Sequence, residues 1–229
     1  MKKLLCIILT ACTLILNITS YAQSTQMNES EILEHYNKVT LEKMCTFDDT
    51  HIFPWAVEPI EELAKRGIVA GTGNRMFSPS NTVSRYEFIK MITGVCGIIN
   101  KNAVAPYSDL SSDHWAYIYA ASAFEAGMLD FYSPKILNGA APILREEIAY
   151  LSVTAMIKSM CLEKTSKNTP EFTDTDKMSE YTIEAIATLN ELGVINGRND
   201  GSFCPKDYAT RAEAAKIIYN ILKIIESNF

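Results

Sequence analysis

The sequence predicts a mainly α-helical protein built from three helix–loop–helix repeats. Three observations carry that prediction. A helix start recurs at Val83-Ser84-Arg85-Tyr86-Glu87, Ile143-Leu144-Arg145-Glu146-Glu147 and Ala209-Thr210-Arg211-Ala212-Glu213. A glycine before an apolar pair lies 18 residues ahead of each arginine, at Gly67, Gly127 and Gly193. An aromatic residue, Trp55, Trp115 or Tyr181, lies 12 residues ahead of each of those glycines. Repetition in register points to an architecture assembled from like units.

The helix start has a physical logic. Thr210 is a good N-cap, and Glu213 three residues later completes a capping box. The run from Ala214 to Leu222 follows with helical spacing. Arg211 falls in the first turn, where the helix dipole mildly disfavours a cation. An arginine beside free backbone amides would make a joint donor site for an anion.

Bulk composition narrows the function classes. The 229 residues are 48% hydrophobic and 21% charged, an ordinary globular balance. The net charge is −6. Without Lys2 and Lys3 the 21 basic residues fall to 19 against 27 acidic, about −8. The sequence has no basic stripe interleaved with aromatics, which argues against nucleic acid as a partner.

In chain order, Met1 to Ala22 reads as an export signal. Lys2 and Lys3 form the positive region, Leu4 to Leu16 the apolar region, and Ser20-Tyr21-Ala22 the cleavage site. Leu9-Thr10-Ala11-Cys12 also resembles a lipobox, which would lipidate Cys12. Against it, the apolar run continues to Leu16. Residues 23–46 form a lead-in with a helix whose apolar face includes Ile32, Leu33, Tyr36 and Val39. The repeats then run over 47–102, 103–167 and 168–229. Each opens on an aromatic, one residue and an aspartate: Phe47-Asp48-Asp49, Tyr107-Ser108-Asp109 and Phe172-Thr173-Asp174. A first helix follows, beginning at Trp55, Trp115 or Tyr181 and ending at its glycine, the usual terminating device. Turn-rich loops, Gly71 to Pro79 and Gly197 to Pro205, lead to the second helix. The middle loop, Phe131 to Gly139, lacks the first glycine and the Phe-x-Pro anchor.

This series, aromatic-x-Asp, His-Trp-Ala, Gly-Ile, Phe-x-Pro and Thr-Arg-Ala-Glu, resembles the S-layer homology module. Three copies would cover Phe47 to about Leu222. The resemblance implies a pseudo-threefold, three-pronged spindle with the second helices in a central bundle. It implies a non-catalytic cell-wall anchor and no cofactor. Its ligand would be an anionic secondary cell-wall polysaccharide on peptidoglycan, carrying a pyruvate ketal on N-acetylmannosamine. So little lies outside the repeats that three roles stand open: coating the wall, competing for its ligand, or pairing with a protein partner through the N-terminal helix. The rival to anchoring is an envelope interaction scaffold whose sugar sites have degenerated, which the middle loop favours.

The resemblance makes Arg85, Arg145 and Arg211 the anion-binding positions. A guanidinium fork suits the ketal carboxylate. The plainer reading pairs each arginine within its repeat, with Asp49, Asp109 or Asp174. Trp55 and Trp115 offer indole faces to a sugar ring, or simply anchor a helix start. Asp49, Asp109 and Asp174 could accept sugar hydroxyls, or cap the following turn. Gly71 and Gly197 would let backbone approach a ligand, or supply a positive-φ turn. No histidine pair has metal-ligand spacing, and Cys45, Cys96, Cys161 and Cys204 match no metal pattern. Cys96 and Cys161 read as small buried hydrophobes, with a disulfide left open.

Overall fold

The computed structural model describes residues 45–163, 165, 166, 168 and 170–228. The export signal, Cys12 and the N-terminal helix lie outside the described residues, as does the Tyr181 side chain. Among the described residues, six α-helices form three pairs: α1 (Pro54–Lys65) with α2 (Arg85–Val95), α3 (Tyr117–Glu125) with α4 (Arg145–Lys158), and α5 (Glu180–Glu191) with α6 (Arg211–Ser227). The mainly α class is therefore correct.

The first helices end as their glycines require. Gly67, Gly127 and Gly193 have φ of 69°, 70° and 67°. The next amide reaches back five residues in each case, from Ile68 to Leu63 O at 2.9 Å, Met128 to Ala123 O at 2.9 Å, and Val194 to Leu189 O at 2.8 Å. This is the glycine-terminated end that satisfies stranded carbonyls. One start differs from expectation. Trp115 precedes α3 instead of opening it, because the Tyr117 amide bonds His114 O at 2.9 Å and the Ala116 amide bonds His114 Nδ1 at 3.2 Å. That pair of bonds makes a separate turn before the helix.

Each first helix packs on the second helix of another pair: α3 on α2, α5 on α4, and α1 on α6. Helix α2 also meets α4 and α6. The contacts bury Phe88, Ile89, Ile92, Ile148, Leu151, Ala214, Ala215, Ile218 and Ile221. The residues ahead of the second helices lock together through backbone. Val83 N donates to Ala209 O at 3.0 Å, Ala209 N to Ile143 O at 3.2 Å, and Ile143 N to Val83 O at 3.0 Å. All three residues are fully buried. A closed ring of bonds is how three short extended segments satisfy buried amides without a sheet.

The three aspartates pin loops. Asp49 accepts the amides of Phe77 at 2.8 Å and Ser78 at 2.7 Å. Asp109 takes Leu137 and Asn138 at 3.0 and 2.7 Å, and Asp174 takes Phe203 and Cys204 at 2.8 and 2.9 Å. The second residue of each loop pair is left-handed, with φ of 59° at Ser78, 52° at Asn138 and 56° at Cys204. A conformation costly for a side-chain-bearing residue is held by a charge-assisted pair of bonds. So these carboxylates do not cap the turn that follows them. They grip a loop some 28 to 30 residues further on.

The four cysteines among the described residues are free thiols. Cys45 is buried, and burial pushes the Cys96 thiol up to about 12.

Asp174→Ala should lower the unfolding free energy by about 3 kcal/mol, since two amides lose a charged acceptor. Urea unfolding checks this, and a change below about 1 kcal/mol would remove the pinning role.

Candidate functional site

Each arginine at the start of a second helix reaches into another helix pair. Arg211 of α6 donates Nε to Phe77 O at 2.8 Å and Nη2 to Ala70 O at 2.7 Å, and its Nη1 pairs with Glu87 of α2. Arg145 of α4 repeats the pattern on the third pair, with Nε to Phe203 O at 2.8 Å, Nη2 to Asn196 O at 3.4 Å and Nη1 to Glu213 at 3.4 Å. Each guanidinium lies over the loop phenyl ring, Arg211 at 4.6 Å from Phe77 and Arg145 at 4.7 Å from Phe203. Burial, the largest cause, holds both arginines below the ordinary value against the pull of their glutamates. Their charge is therefore poorly hydrated, which strengthens whatever anion they meet.

Arg85 is held differently. Glu147 takes its Nε at 3.0 Å and Nη2 at 2.9 Å on the same oxygen, so the fork closes on one carboxylate. Nη1 bonds Asn138 O at 3.0 Å, and the guanidinium sits 5.3 Å from the Tyr132 ring. Burial, the largest single cause, lowers Arg85, but Glu147 and Tyr132 together outweigh it and the net shift is upward.

The partners correct the plainer reading of the arginines. They are glutamates of another pair, not Asp49, Asp109 or Asp174. The same glutamates close the helix caps. Glu87 Oε2 accepts the Ser84 amide at 2.8 Å and Glu213 Oε2 the Thr210 amide at 2.7 Å, while Ser84 and Thr210 take the Glu87 and Glu213 amides. At Leu144 only half of the box exists: the Leu144 amide bonds Glu147 Oε2 at 2.8 Å, and leucine has no hydroxyl to return the contact. The expected free amides at these starts are absent. Arg85 N bonds Ala141 O at 3.0 Å, Arg145 N bonds Asp207 O at 3.0 Å and Arg211 N bonds Asn81 O at 2.8 Å. The next amides, of Tyr86, Glu146 and Ala212, are also bonded to carbonyls.

Two cavities are built around the phenyl-stacked arginines. The first, about 440 Å³, is lined by Ile68 to Thr72, Phe77, Glu87, Lys90 and Met91 of the first pair, Trp115 of the second and Arg211 of the third. The second, about 210 Å³, is lined by Val194 to Arg198, Phe203, Glu213, Lys216, Ile217 and Asn220 of the third pair, Ile148 and Arg145 of the second and Trp55 of the first. Trp55 is 49% exposed and Trp115 52%, so each presents an indole face to solvent. Phe53 meets the Trp55 ring edge-on at 6.3 Å, and Tyr86 and His114 lie 6.2 and 5.4 Å from Trp115. Tyr86 fits because Gly139 faces it: a Cβ there would fall 1.9 Å from the Tyr86 ring.

The structure thus brings Arg211, Trp115 and Gly71 to one cavity and Arg145, Trp55 and Gly197 to the other. It keeps Asp49, Asp109 and Asp174 on loop amides. Gly71 and Gly197 have no positive φ. They are glycine because a Cβ at Gly71 would lie 2.7 Å from Phe47 and one at Gly197 2.6 Å from Phe172. At the matching place in the middle pair stands Phe131. Sequence reading missed Lys90 and Lys216, which line the two cavities. The signal was present, since each lies five residues after its arginine while Tyr150 holds that place in α4.

No helix of the described residues is long and apolar enough to cross a membrane. The chain is 33% identical over 183 residues to exoglucanase XynX of Acetivibrio thermocellus, covering 80% of this chain and 17% of that protein. It is 32% identical over 169 residues to the amylopullulanase of Thermoanaerobacterium thermosulfurigenes, covering 74% and 9%. It is 27% identical over 177 residues to an S-layer protein of Bacillus thuringiensis subsp. finitimus, covering 76% and 21%. The chain therefore spans less than a quarter of the length of each. Residues 46–89 and 171–215 each match the S-layer homology domain, a module known for anchoring cell-surface proteins to the wall.

Proposed function

We propose that this chain is a non-catalytic anchor that binds an anionic secondary cell-wall polysaccharide non-covalently, with a pyruvate ketal as the charged group. One observation carries the reading. Two cavities lie 126 residues apart in register, and each joins a poorly hydrated guanidinium, a lysine and an exposed tryptophan. A ketal carboxylate suits the guanidinium and ammonium, and the sugar ring suits the indole. The contacts are Arg211, Lys90 and Trp115 in one cavity and Arg145, Lys216 and Trp55 in the other. Gly71 and Gly197 shape the walls.

The reading includes three module copies, 47–102, 103–167 and 168–229, closed into a pseudo-threefold, three-pronged spindle around the second helices. The ring of hydrogen bonds through Val83, Ile143 and Ala209 supports that closure. It also includes export through residues 1–22, with lipidation of Cys12 as the variant, and a lead-in over 23–46 open to a protein partner. Arg85 is structural in this account, because Glu147 occupies its fork.

A second reading, an envelope scaffold with degenerate sugar sites, is favoured by Phe131, Tyr132 and Leu144 in the middle pair. The two part in a sedimentation assay on purified peptidoglycan with the polysaccharide attached or stripped. The anchor reading expects retention by the first alone. Lys90→Ala with Lys216→Ala should weaken it about ten-fold or more. Retention unaffected by the double change, or equal on stripped wall, would sink the anchor reading. Arg85→Met should instead cost about 3 kcal/mol of stability, by leaving Glu147 buried and unpaired. At temperatures where that variant is folded, retention should stay within about two-fold; thermal melts beside sedimentation separate the effects.

A further inference from the structure

The two cavities share four lining residues at an offset of 126: Gly71 with Gly197, Phe77 with Phe203, Glu87 with Glu213 and Lys90 with Lys216. Of the matched lining positions that differ, the one after the glycine differs in charge. It is Thr72 in the first cavity and Arg198 in the second. Thr72 turns its hydroxyl on its own loop, 2.8 Å from Ser78 Oγ and 3.3 Å from Met76 O. Arg198 gives Nη2 to Asp207 at 2.8 Å. That pair is open to solvent, 44% exposed at Arg198 and 54% at Asp207. Asp207 is not among the residues lining the cavity, whereas Arg198 is. Cys204 is a second polar neighbour of the Arg198 guanidinium, and these two contacts leave part of the five N–H donors of a guanidinium uncommitted.

The second cavity therefore gathers Arg145, Arg198 and Lys216 around one lining carboxylate, Glu213. The first gathers Arg211 and Lys90 around Glu87. The positive charge of Arg198 reaches Arg145, where it adds to burial in lowering that arginine. Two guanidiniums held near each other are a cost that a bound anion reverses.

We propose that the Arg145 cavity takes a saccharide end with two anionic groups, that the Arg211 cavity takes one with a single carboxylate, and that Arg198 sets the difference. The inference rests on the anchoring reading. The first group, a carboxylate, meets Arg145 and Lys216. The second, a phosphate monoester or another carboxylate on the adjoining sugar, meets Arg198.

The chain's two tryptophans make the test direct, because each lines one cavity. Trp115→Phe leaves Trp55 to report the Arg145 cavity, and Trp55→Phe leaves Trp115 to report the other. The probes are two synthetic disaccharides ending in pyruvate-ketal N-acetylmannosamine, alike except for one phosphate monoester on the second sugar. Fluorescence titration of the Trp115→Phe chain should give about ten-fold tighter binding of the phosphorylated probe. Adding Arg198→Thr, the residue native to the matching position, should shrink that preference to about two-fold or less. The Trp55→Phe chain should bind both probes within about two-fold. Equal binding by the Trp115→Phe chain, or a preference that survives Arg198→Thr, overturns the inference. Silence of both tryptophans to both probes overturns the anchoring reading instead.

Discussion

The structure depends on one carboxylate used twice. The glutamate three residues into each second helix takes the backbone amide that starts its own helix with one oxygen. With the other it holds the arginine of another helix pair. Glu87 does this for Arg211, Glu213 for Arg145 and Glu147 for Arg85. The cap and the tertiary contact cannot be separated, so helix start and assembly form together. Each arginine in turn donates to the carbonyls of the loop it reaches, or to Glu147 and one carbonyl at Arg85. The chain is thereby tied into a circle, in which the last helix holds the first loop.

That circle also creates the cavities. An arginine carried on the same pair as its loop could pair only within that pair. Carried on another pair, it becomes the floor of a gap whose walls come from elsewhere. Whether the gap is open depends on the loop. Gly71 and Gly197 let Phe47 and Phe172 pack close, and a cavity stands beside each. In the middle pair a phenylalanine takes the glycine's place, Tyr132 lies by Arg85, and Glu147 grips that arginine with two bonds. The same scaffold thus supports an arginine that lines a cavity or one gripped by a carboxylate and an aromatic ring.

Much of this was legible in the sequence. The glycine ends, the cap boxes at Ser84 and Thr210 and the missing cap at Leu144 follow from local rules, because each involves residues within four or five positions. The register of the three arginines also predicted like helix pairs. What local rules could not supply is which pair each arginine enters. The aspartates looked like local caps, yet they bond amides far along the chain. The glycines looked like turn residues, yet close packing and not φ demands them. Lys90 and Lys216 went unnoticed because a lysine on a helix usually marks a solvated face, and only the cavity gives the two a shared setting. The arginine partners and the cavity lysines are set by the circular closure, while the aspartates and glycines meet distant partners within their own helix pair.

The most direct measurement is the stoichiometry of binding by titration calorimetry, using the terminal saccharide of the wall polymer and the folded chain. The account predicts two sites per chain, at the Arg211 and Arg145 cavities. Three sites would contradict the closure of Arg85 by Glu147, and no binding would contradict the cavities as saccharide sites.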